Sequence, residues 1–175
     1  SELEDVAKKA EDLLTKSAEI LKEVVDRHRR LNERSEDEAR RVEEEHRRTN
    51  KKLLDLARRG DRDKEEVKRI IERSLDRVRE VFKRVKRLND ESLKEVERVI
   101  EEVRRLNEEI LKTVERDVDS EELRKLKKRI EDISREHERI LRELREHVER
   151  VSDKHRKILK ELEEDVERIL REVTK

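Results

Sequence analysis

Five histidines, His28, His46, His137, His147 and His155, are the side chains here able to hold a metal or move a proton near neutral pH. A metal site on helices needs ligands three or four residues apart that converge from several helices. Glu43 and His46 form one Glu-x-x-His pair, but no second such pair exists to face it. Glu143 and His147 have the i,i+4 spacing that a Glu-rich helix produces by accident. No nucleophile stands beside a base, no Gly-rich loop is present, and the absence of Cys removes disulfides and thiolate chemistry. The residues therefore predict no catalytic site, no metal and no cofactor. Arg59-Gly60-Asp61 spells the adhesion tripeptide recognised by integrins, but helix punctuation already explains its Gly and Asp.

The elements that must position these residues are set by composition. Of 175 residues, 57% are charged and 30% hydrophobic, with 50 Lys and Arg against 50 Asp and Glu. High charge with few apolar residues usually means disorder. Here the charges balance, strong helix formers dominate, and the apolar residues recur at helical spacing. Lys and Arg alternate with Glu and Asp throughout, so no basic face for nucleic acid is evident. No run of about 18 apolar residues could span a membrane, and no secretory leader is read at the start.

Punctuation is sparse. Gly60, the one glycine, is suited to a left-handed position after a helix, and Asp63 with Glu66 reads as the cap and first turn of the next. Asp119 or Ser120 caps a third helix, and Ser1 with Glu4 repeats that relationship at the start. The spacing predicts helices over about 2–59, 63–117 and 120–175, each roughly 80 Å long. Connections this short make long helices fold back on one another. The expected fold is all-α: an up-down-up three-helix bundle over a single domain, 1–175.

The helices repeat at 18 residues, five whole turns. In the third, Ile133, Ser134, His137, Ile140, Leu144 and Val148 recur as Val151, Ser152, His155, Ile158, Leu162 and Val166. The first repeats Val6, Val24 and Val42, and the second Val78, Val96 and Val114. Residues 18 apart share a direction on a straight helix, whereas a heptad repeat would impose a supercoil. Nearly straight helices are expected. Each carries one apolar stripe, which in the second includes Ile71, Val78, Phe82, Val96, Leu106 and Val114. The first helix is thin in large apolar residues from Glu33 to Lys52.

Polar residues interrupt these stripes. Ser17, His28, Asn32, Ser35, His46 and Asn50 do so on the first helix. Ser74, Asn89, Ser92 and Asn107 do so on the second. His137 and His155 do so on the third, with Ser134, His147 and Ser152 at its edges. A buried polar group left unpaired costs about 1–3 kcal/mol, so each needs a partner. With a turn at Gly60, facing positions on the first two helices should sum to about 120. His28 with Ser92 and His46 with Ser74 give 120, and Asn32 with Asn89 gives 121. Asn89 with His147 gives the 236 expected around the second turn. Parallel first and third helices should differ by about 118. Ser17 and Ser134 differ by 117, as do Ser35 and Ser152, and His28 and His147 differ by 119. Around His46, Thr49, Asn50 and Ser74 the third helix offers only Leu162 and Val166. Either His46 and Ser74 satisfy each other or a further helix completes the layer.

In repeat, caps and polar layers the whole chain resembles computationally designed helical bundles with buried hydrogen-bond networks. The resemblance implies a synthetic scaffold with no natural compartment, soluble, and cytoplasmic when made in a cell. Its networks would set helix pairing and register, because an offset polar residue is left unsatisfied. No partner is then required. The alternative is an assembly module that binds a further amphipathic helix or a second copy. Neither reading calls for nucleic acid, membrane or a small-molecule substrate. Buried histidines should be neutral, and packing should weaken at about pH 4–5.

Overall fold

The computed structural model describes residues 2–116 and 120–175, with side chains over 5–116 and 121–175. Three helices follow one another: α1 (Glu2–Arg58), α2 (Lys64–Glu115) and α3 (Ser120–Val173). Among the described residues there is no strand. The fold is an all-α three-helix bundle, with boundaries within about two residues of those the sequence indicates.

The first turn shows why α1 stops. Gly60 has φ +72°, its N–H reaches the Ala57 carbonyl at 3.1 Å, and the Asp61 N–H reaches that of Leu56 at 3.0 Å. This is a Schellman closure, which needs a residue without a Cβ at the left-handed position. Asp63 then caps α2: its Oδ1 accepts from the Glu65 N–H at 3.1 Å, and its carbonyl accepts from Val67 N–H. The reciprocal half of the expected capping box is replaced, because the Glu66 carboxylate pairs with Arg62 at 3.4 Å. The cap assignments at Ser1, Asp119 and Ser120 fall outside the described residues or side chains.

Contacts divide the chain into two compact units, and each helix contributes to both. One comprises residues 1–30 and 91–147, the other 31–90 and 148–175. In the first, Ala10 and Leu14 of α1 pack with Ile110 and Val114 of α2 and Leu126 and Ile130 of α3. In the second, Ala39, Val42 and Leu53 join Ile71, Val78 and Phe82 of α2 and Leu162 and Val166 of α3. The thin stretch of α1 thus still contributes apolar atoms to the core, through the small Ala39 and Val42. Burial of each larger side chain contributes about 1.5–3 kcal/mol before chain entropy is subtracted. Leu106 departs from expectation: it is 37% exposed instead of lying in the buried stripe.

Exposed ion pairs cross between helices at heights consistent with up-down-up order. In the first unit Arg129 of α3 meets Glu11 of α1 at 2.8 Å, and Arg145 meets Glu97 of α2 at 3.2 Å. In the second, Arg84 of α2 pairs with Glu38 of α1, and Arg47 of α1 lies 3.6 Å from Asp165 of α3. Each is worth about 0–1 kcal/mol at such exposed positions, so they frame the cores without holding them together.

Candidate functional site

The candidate site is the set of polar side chains that the helices carry into their interior. His46 is fully buried on α1. Its Nδ1 lies 2.7 Å from Ser74 Oγ on α2, and its Nε2 lies 3.1 Å from Asn50 Nδ2 one turn along α1. An amide nitrogen can only donate, so Nε2 is the acceptor and Nδ1 carries the proton. Nδ1–H therefore donates to the Ser74 hydroxyl. His46 and Ser74 satisfy each other without a polar group from α3, where Leu162 and Val166 are buried in the core. Asn50 Oδ1 remains buried without a hydrogen-bond partner.

His28 repeats the arrangement in the other unit. It is buried on α1, and its Nδ1 shares a 2.7 Å hydrogen bond with Ser92 Oγ on α2. One step of 18 up α1 and one step of 18 down α2 carry this pair onto His46 and Ser74. Both serines are half-buried.

Three expected pairings take a different form. Asn89 Oδ1 accepts from Ser35 Oγ at 3.0 Å, one turn on from Asn32. The same hydroxyl lies 3.0 Å from the Asn32 carbonyl, so Ser35 turns to α2 and its own helix, away from Ser152. Ser17 donates to the Leu13 carbonyl of its own helix at 2.9 Å, away from Ser134. This back-bonding is available to any helical serine and competes with a bond across the bundle. Ser134 and Ser152 are half-buried and make no side-chain hydrogen bond among the described residues. Asn107 is buried, and its Oδ1 has no partner.

The α3 histidines also depart from the expected network. His155 is half-buried and stacks on Phe82, with ring centroids 4.6 Å apart and planes 22° from parallel. The sequence reading missed this contact, although positions 82 and 155 sum to 237, close to the expected register. His137 is buried and makes no hydrogen bond among the described residues. His147 is half-buried and close enough to His28 for their charges to oppose each other.

Burial lowers the pKa of His28, His46, His137 and His155, since each would lose hydration on becoming charged. His147 and Arg29 add to the lowering at His28, and Arg47 at His46. Carboxylates oppose it: Asp165 at His46, Glu136 at His137, and Glu36 and Glu43 at His155. Among the described residues no three His, Cys, Asp or Glu side chains gather as a metal would require, and no helix is long and apolar enough to cross a membrane. Arg59, Gly60 and Asp61 are exposed at the α1–α2 turn.

No protein-family model matches the chain, and no curated protein does. Among solved structures it is similar to a computationally designed three helix bundle. The two are 16% identical, and the likeness covers 99% of this chain and 87% of that one, with a TM-score of 0.55. That likeness concerns the fold.

Proposed function

We propose that the chain is a designed structural scaffold, without catalytic activity, in which buried polar pairs specify how the helices align. The observation that carries this reading is the recurrence of one histidine–serine bond at 2.7 Å in two places related by the 18-residue repeat. A purely apolar interface tolerates sliding, because one Val or Leu replaces another. A buried imidazole does not, because an offset takes the serine acceptor away from its Nδ1–H. The similar solved structure, itself a designed three-helix bundle, supports the same class of object.

Spin labels test the register role. The protein has no cysteine, so K51C and R69C, on exposed sites of α1 and α2 in one unit, give a unique pair. The parent should show one narrow distance distribution. With H46L and S74A added, a second population should emerge; a slip of one heptad displaces labels by about 10 Å along the axis. An equally narrow distribution in the apolar variant would remove the register role.

A second reading is an assembly module that accepts a further amphipathic helix or a second copy. It is favoured by Leu13 and Ile20, which lie seven residues apart on α1 and are exposed, Ile20 by 56%. Light scattering across a concentration series decides between them: a constant monomer mass supports the scaffold, and a rising mass supports self-association.

A further inference from the structure

The 18-residue repeat allows the two buried layers around the α3 histidines to be compared position by position. His155 stacks on Phe82 and feels the carboxylates of Glu36 and Glu43 from α1. One repeat earlier stands His137. At the positions equivalent to Glu36, Glu43 and Phe82, its layer carries Ala18, Val25 and Ile100. The second layer thus has the histidine of the first without the two α1 carboxylates or the aromatic ring; the carboxylate that acts on His137 is Glu136 of its own helix.

What replaces them is a hollow of about 490 Å³ between α1 and α3. Ala18, Ile133 and His137 line it, together with Lys125, Lys128 and Arg129. His137 is 7% exposed and has no hydrogen-bond partner among the described residues. The two acids at the edge are already engaged: Asp132 lies 3.7 Å from Arg135, and Glu136 pairs with Arg139. Arg129 is held by Glu11 at 2.8 Å. Lys125 and Lys128 form no ion pair among the described residues. The hollow therefore combines an apolar floor, one unused imidazole and two uncommitted ammonium groups.

We propose that this hollow binds a small carboxylate anion carrying a short apolar tail. The carboxylate takes the place in this layer that Glu36 has in the layer of His155. It accepts a hydrogen bond from the His137 ring, while Lys128 and Lys125, nine and twelve residues earlier on α3 and so about 13 and 18 Å away along its axis, act only through the positive potential they give the hollow. The tail covers Ala18 and Ile133. The sequence alone indicated no small-molecule ligand, because the site arises from what the repeat omits at Ala18.

Hexanoate, titrated into isotope-labelled protein, is the probe, read at the His137 ring and the Ala18 methyl by NMR. The expected response is saturable, with a dissociation constant in the millimolar range, and inorganic phosphate, lacking a tail, binds more weakly. Ala18 is exposed, so A18E keeps the fold while supplying the carboxylate from the chain itself. It should weaken hexanoate roughly tenfold or more. H137F should abolish the response at the Ala18 methyl. Absent or unsaturable shifts in the parent protein would overturn the proposal, as would an undiminished affinity in A18E.

Discussion

Ser35 with Asn89 and Ser17 with Asn107 are the same pair written twice, one repeat apart on each helix. In the unit of residues 31–90 and 148–175, the Ser35 hydroxyl crosses to Asn89 Oδ1 at 3.0 Å. In the unit of residues 1–30 and 91–147, the Ser17 hydroxyl turns back to Leu13 and leaves Asn107 Oδ1 buried without a partner. Both asparagines are 2% exposed, so burial does not separate them. The difference is the acceptor each serine takes. A repeat places polar groups at matching heights, but a helical serine always has a carbonyl of its own helix as an alternative acceptor. The apolar residues differ at the surface more than in the core: both units bury a similar set, but the exposed large hydrophobics Leu13, Ile20 and Leu106 all lie in the unit of residues 1–30 and 91–147.

The largest expected effect comes from the cores. Leu162→Ala removes a fully buried side chain from the larger cluster and should cost toward the upper end of about 2–5 kcal/mol. Leu126→Ala removes a side chain that is 5% exposed, against 0% for Leu162, and should fall toward the lower end. Chemical denaturation of both variants measures this, and equal losses would erase the distinction between the units.

Acid comes next. Four histidines have folded pKa values lowered by burial, while the unfolded value is about 6.5. The neutral rings therefore stabilise the fold fully above about pH 6.5, and that contribution is lost as pH falls through the lowered folded values. The thermal midpoint should drop between about pH 7.5 and 5. A variant with all four changed to Leu should show a smaller drop, and an identical drop would place the acid sensitivity elsewhere.

The asparagines give a sharper test, because they predict opposite signs. Asn107→Leu removes an unsatisfied acceptor and should stabilise by about 1–2 kcal/mol. Asn89→Leu removes the bond from Ser35 to α2, leaving the hydroxyl only the Asn32 carbonyl of its own helix, and should destabilise by about 1 kcal/mol. If both variants shift the same way in urea titrations, Ser17 bonds Asn107 in solution and the two layers are equivalent. An effect of similar size is expected at the turn: Gly60→Ala forces a Cβ into a left-handed position and should cost about 1 kcal/mol in the same titrations.

Much of this was legible in the sequence because periodicity and punctuation act locally. Gly60 ended α1 where its left-handed φ is needed, and the arithmetic of an antiparallel pair placed His28 opposite Ser92 and His46 opposite Ser74. Height could not disclose rotamer choice. Ser17 and Ser35 each had several acceptors within one turn, and sequence cannot rank them. Nor could it separate a histidine that stacks, as His155 does on Phe82, from one that hydrogen-bonds, since both require the same burial. Leu106 was assigned to the stripe by its type and spacing, yet it lies at the edge, where a small rotation about the helix axis decides exposure.

The central claim is that His46 is a dry, neutral ring donating through Nδ1 to Ser74 and accepting at Nε2 from Asn50. Long-range ¹⁵N–¹H NMR of the imidazole reads this directly. A protonated Nδ1 and a bare Nε2, unchanged as pH passes through about 6.5, are the expected result. A ring protonated at Nε2, or one titrating like a histidine in water, would contradict it.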